Sequence, residues 1–118
     1  MPTKLSKLEK DLLFQIQNEG LPEPICQYKI FEDRKFTADF AWPDQMIIAE
    51  CEGGTWSVGG HSTGKGIERD CIKANLAQID GWTHLRFTSG MIRDTTAIET
   101  LKAVLTYGDN SNGTTKED

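Results

Sequence analysis

Apolar residues recur along this chain with two periods, and the change from one to the other marks its elements. Leu5, Leu8, Leu12, Leu13 and Ile16 follow helical spacing and predict an amphipathic helix over residues 5–17. Ser6 with Glu9 three residues on fits a capping box at its start, and Asn18-Glu19-Gly20 ends it ahead of Pro22 and Pro24. The next segments predict strands over 25–31, 36–41 and 46–52, joined by the charged turn Glu32-Asp33-Arg34-Lys35 and by a tight turn at Pro43-Asp44. After the glycine-rich segment Gly53–Gly66, a helix is predicted over 67–79, with Ile67, Cys71, Ala74 and Ile79 among its inward positions and Gly81 ending it. A fourth strand over 82–88 alternates Trp82, His84 and Arg86 against Thr83, Leu85 and Phe87. Ser89 is placed to cap a last helix over about 90–106, where Met91, Ile98, Leu101, Val104 and Leu105 line one side. The order α-β-β-β-α-β-α predicts an α/β domain with a small mixed central sheet flanked by helices.

Composition narrows this picture. The chain has 118 residues, enough for one core, which assigns 1–107 to a single domain. Residues 108–118 have nothing to bury and read as a disordered polar tail. With 37% hydrophobic and 26% charged residues the chain reads as a soluble globular protein. No apolar run approaches the roughly 20 residues of a membrane span, and the N-terminus lacks a signal-peptide core. Cys26, Cys51 and Cys71 are odd in number and form no CxxC pair, which favours free thiols in a reducing, cytoplasmic setting. The net charge of −5 argues only weakly against nucleic acid, because site acids and the tail contribute to it while Arg and Lys can cluster locally.

The candidate chemistry concentrates in Phe36–Glu52. Asp39 sits among Phe36, Ala38 and Phe40, and Glu50 and Glu52 close the apolar run Met46–Ala49. Glu50 and Glu52 share a strand face, and Asp39 joins them if the two strands pair as a hairpin. Three acids held together repel unless a cation or a proton lies between them, and a divalent metal is the simplest occupant. Carboxylates with waters and a substrate phosphate make the usual shell of magnesium, so phosphoryl chemistry is the natural reading.

Other motifs carry less. Gly59–Lys65 matches the start of a phosphate-binding loop, but Gly66 stands where the magnesium-holding Ser or Thr belongs. A loop whose Lys65 and backbone amides meet phosphates of another polymer suits the segment better. His61, next to the acids in sequence, reads as a general acid/base or a phosphate contact, and His84 as structural. Asp70 and Lys73, with Glu68 and Arg69, are explained equally by a salt-bridged helix face. Glu9 is read equally as capping-box acid and as a catalytic group.

In these residues the chain resembles the PD-(D/E)XK, or restriction-endonuclease-like, nuclease superfamily. It is most similar to small members of the very-short-patch-repair and phage-encoded types. RKFTADFAW, IIAECEGGTW, His61, ERDCIKAN and GWTHLRFT carry the likeness over roughly residues 9–93. The resemblance implies a restriction-endonuclease-like core and a Mg²⁺-dependent DNA endonuclease, with Mn²⁺ able to substitute. It implies Asp39 and Glu50 as metal ligands, Glu9 as the acid of the first helix, and His61, Asp70 and Lys73 as further site positions. Glu52 stands where the motif has lysine. That leaves open whether Glu52 binds metal or acts as base, and whether Lys65 or Lys73 supplies the missing cation. Arg34, Lys35, Lys65, Arg69 and Lys73 are candidate DNA-backbone contacts, and Trp56 either stacks on a base or belongs to the core. The expected partner is DNA, cut at branches or mismatches or nicked, in the cytoplasm, that of a bacterial host if the chain is phage-encoded. A two-fold dimer suits a junction resolvase and a monomer suits a nickase. The rival reading is a non-catalytic DNA- or protein-binding domain that kept the fold.

Overall fold

Helix α1 (Lys7–Asn18) starts at the expected capping box: Ser6 Oγ accepts from the Glu9 N–H at 3.1 Å, and Glu9 Oε1 accepts from the Ser6 N–H at 3.0 Å. It ends in a Schellman turn, with Leu21 N–H donating to Ile16 O and Gly20 N–H to Gln17 O. Gly20 takes φ +71° there, a conformation that costs little without a Cβ. The computed structural model describes residues 5–52 and 64–113, with side chains as far as residue 105.

Four strands follow in a single sheet: β1 (Ile25–Lys29), β2 (Thr37–Trp42), β3 (Ile47–Glu52) and β4 (Thr83–Thr88), in that spatial order. The β1–β2 and β2–β3 pairs are antiparallel, and β3–β4 is parallel. A parallel pair needs a crossover, and helix α2 (Gly64–Ile79) supplies it. Helix α2 ends in a second Schellman turn, where Trp82 N–H donates to Ala77 O and Gly81 takes φ +94°. This turn sets Trp82, only 7% exposed, edge-on to Tyr28 at 5.8 Å between ring centroids.

The two faces of the sheet pack differently. Phe40, Trp42, Ile47, Ala49 and Phe87 face a core completed by α1 and by helices α3 (Ser89–Arg93) and α4 (Thr96–Gly113). Ala38, Ala41, Ile48 and Trp82 belong to a second, smaller core with Ala77 of α2. The resulting fold is an α/β arrangement with a small mixed central sheet flanked by helices, consistent with a restriction-endonuclease-like core. Among the described residues no helix is long and apolar enough to cross a membrane.

Several local expectations are corrected. Helix α2 is rotated from its expected phase: Ala77 is its buried residue, while Ile67, Ile79 and Cys71 are exposed. Polar Lys73 takes an inward position, for a reason that lies in the site. The turn before β3 is a 3₁₀ turn over Pro43–Gln45, and Met46 at φ +57° precedes the strand instead of starting it. The helix after β4 is capped by Thr88, not Ser89, with Thr88 Oγ1 accepting from Met91 N–H at 3.3 Å. That helix is also two helices, because Thr95 takes φ +71° and Asp94 Oδ1 caps the second by accepting from Thr96 N–H at 2.9 Å.

Candidate active site

The acids sit beside a break in strand alternation in the β1–β2 pair. Gln27 adopts φ +52°, and the alternation of the β1–β2 pair inverts there. Cys26 and Phe40 pack against the larger core, whereas Tyr28 and Ala38 pack against the smaller one. Asp39 lies at this inversion, just beyond the last β2–β3 pair, Phe40 with Ala49. Its Oδ2 accepts from the backbone N–H of Cys51 at 2.8 Å and its Oδ1 accepts from Gln27 Nε2 at 3.4 Å. Asp39 therefore bonds the backbone of β3 at the point where the β2–β3 pairing ends.

Burial, the largest influence, pushes the Asp39 carboxyl up to about 6, against the opposing Cys51 hydrogen bond and with help from Glu9 and Glu50. Glu9 takes its capping-box place, and its carboxylate is also among the groups that raise Asp39. Burial likewise lifts the Cys51 thiol to about 12, with the surrounding carboxylates adding to the effect. Cys51 is accordingly held as the thiol at neutral pH.

Glu50 and Glu52 do share a face, and each has a cation supplied by the chain. Lys73 reaches in from α2, its Nζ 2.8 Å from Glu50 Oε1 and donating also to Thr37 O at 3.0 Å. His84 Nε2 lies 2.9 Å from Glu50 Oε2. A carboxylate offers only acceptors, so Nε2 carries the proton in this contact. Burial acts to raise the Glu50 carboxyl, but the bonds and charges of His84 and Lys73 outweigh it and hold Glu50 below its ordinary range. Glu52 Oε2 accepts from Arg86 Nε at 2.9 Å across the parallel pair. The exposed Asp70 on α2 adds its field to that of Glu52 on Arg86.

The other candidates sort clearly. Lys73 joins the acids, and Lys65 does not approach them: it lies exposed at the start of α2. Arg34 and Lys35 are exposed in the β1–β2 connection, and the Arg69 guanidinium sits 4.8 Å from the centroid of the Phe36 ring. His61 and Trp56 lie outside the described residues. His84, Arg86, Gln27 and the Cys51 amide are the site members that sequence reasoning missed. Trp82, His84 and Arg86 were legible as one strand face, but the parallel register that brings them to β3 was not.

Magnesium demands near-octahedral oxygen ligands. Here both Glu50 oxygens are engaged by Lys73 and His84, and Asp39 is drawn towards the Cys51 amide. Among the described residues no three His, Cys, Asp or Glu side chains are grouped to hold a metal ion. As they stand, these residues do not fit a metal shared by Asp39, Glu50 and Glu52.

No protein-family model and no curated protein matches the sequence. In three dimensions the chain is similar to the catalytic domain of the homing endonuclease I-Bth0305I, with TM-score 0.66 and 12% identity over 88% of this chain and 98% of that one. At this identity the likeness is one of fold: two chains of distant sequence share the helix-flanked mixed sheet on which the acids of this site are mounted.

Proposed function

We infer that this chain is a DNA endonuclease of the PD-(D/E)XK kind, hydrolysing phosphodiester bonds. The observation that carries the reading is the Lys73–Glu50 contact at 2.8 Å. The motif puts a lysine two residues after the acid of β3, and this chain has Glu52 there. Lys73 returns an ammonium to the same carboxylate from the neighbouring helix. The fold shared with a homing-endonuclease catalytic domain supports the reading.

Hydrolysis joins a water oxygen to phosphorus and breaks the bond from phosphorus to one sugar oxygen, which leaves with a proton. Asp39, with its carboxyl near 6, is suited to take the proton of the attacking water close to neutral pH. Lys73 uses two of its three N–H donors on Glu50 and Thr37. The third is available to a phosphate oxygen as charge builds on it in the transition state. Arg34, Lys35, Lys65 and Arg69 hold the flanking backbone, which makes binding steeply salt-dependent.

The test incubates supercoiled and four-way-junction DNA with the protein in Mg²⁺, in Mn²⁺ and in chelator, beside Asp39→Ala and Glu50→Ala. Cutting is expected from the native chain and not from either variant, and the chelator arm measures metal dependence separately. Binding without cutting in every arm assigns the chain instead to a DNA- or protein-binding module on a nuclease fold.

A further inference from the structure

A groove of about 550 Å³ opens between the β1–β2 connection and the first half of α2, lined by Arg34, Phe36, Lys65, Glu68, Arg69 and Ile72. Three cations surround an apolar wall, and Glu68 is the one acid of the lining. Arg69 lies over the Phe36 ring, which fixes the guanidinium as a platform instead of a freely swinging charge. Ile72 is 41% exposed and leaves apolar surface open between the basic side chains.

Ordinary duplex backbone calls for cations on an open surface and has no use for an apolar wall. An unstacked base calls for both: a flat or apolar surface against its ring, and cations for the phosphates on either side. The groove also adjoins the acids. Arg69 and Lys73 are one turn apart on α2, and Lys73 bonds the carbonyl of Thr37, the residue after Phe36.

Resting on the nuclease reading above, we propose that this groove holds an unpaired nucleotide of DNA. The preferred substrate then carries a single-stranded branch beside the duplex to be cut. The base lies against Ile72 and the Arg69–Phe36 stack, and Arg34 and Lys65 meet its flanking phosphates.

Fluorescence anisotropy of the full chain, in chelator so that no strand is cut, compares a splayed-arm DNA with a blunt duplex of the same paired sequence. The splayed arm is expected to bind about tenfold more tightly, in line with the strength of base stacking on protein surfaces. Ile72→Glu, checked by circular dichroism to be folded, is expected to erase that preference. Lys102→Ala, on the remote helix α4, is expected to keep it. Arg34→Ala and Lys65→Ala are each expected to lower the salt slope by about one for the splayed arm. Equal binding of the two DNAs, or an Ile72→Glu protein that still prefers the splayed arm, overturns the groove assignment and leaves the nuclease reading intact. Failure to bind any DNA overturns both.

Discussion

The two faces of the sheet divide the labour of this molecule. On the face covered by α1, α3 and α4, Leu12, Ile16, Phe40, Phe87, Ile92, Leu101 and Leu105 are each at most 2% exposed. On the opposite face α2 buries only Ala77 and leaves Ile79 80% exposed. What ties α2 to the sheet there includes Lys73, bonded to Glu50 and Thr37. Apolar packing contributes stability with little regard to detail, whereas a partly buried ion pair fixes geometry at a cost in desolvation. The Glu50–Lys73 part of the site therefore lies on the thinly packed face, braced by the thickly packed one.

Truncating the larger core is the change with the largest effect. Phe40→Ala is expected to lose about 3–5 kcal/mol in urea unfolding, the usual range for a buried phenylalanine. A loss below about 1 kcal/mol would mean that this face does not carry the fold. Next, Lys73→Met strands a mostly buried carboxylate and is expected to cost about 3 kcal/mol, since His84 still holds one of its oxygens. Adding Glu50→Leu is expected to restore most of that loss, and a cycle with no coupling would remove the ion pair from the account.

Acidity sharpens the contrast within the site. Asp39 is raised from 3.8 to about 6, so between roughly pH 4 and 6 the folded state holds more protons than the unfolded one. Stability is accordingly lost as pH rises through that window, by about 1–2 kcal/mol once partial solvent screening is allowed for. Asp39→Asn is expected to flatten this slope in melts taken across the window, and an unchanged slope refutes it. Glu50 acts with the opposite sign. Held below its ordinary range, it adds stability above that range, and the gain is lost as pH falls through its lowered value. The smallest effect belongs to exposed α2: Ile79→Ser is expected to stay within about 0.5 kcal/mol of the native chain, and a larger loss would reveal packing that the structure does not contain.

Much of the fold was legible because its elements carry clean periods. The capping box at Ser6 and Glu9, the four strands and the glycine stops at Gly20 and Gly81 all follow from local chemistry. The phase of α2 did not, because the helix turns Lys73 inward and leaves Ile67 and Ile79 in solvent. Within the site, Glu50 and Glu52 share a face as strand alternation requires, while Asp39 lies at a break in that alternation. The break coincides with the positive φ of Gln27, a residue type that gives no sign of left-handed backbone. His84 and Arg86 reach the acids through a parallel register joining residues more than thirty positions apart, which no local pattern encodes. The ammonium that meets Glu50 was not legible either, because Lys73 reaches it from a helix and not from the strand.

The central claim is that Lys73 serves as the site's cation, and nicking of supercoiled DNA by Lys73→Met addresses it most directly. The assay is run at a temperature where circular dichroism shows both proteins folded. Nicking is expected to fall by about 100-fold, the effect of removing a donor aimed at developing charge, while Lys65→Met keeps the native rate within a few-fold. Native nicking by Lys73→Met contradicts it.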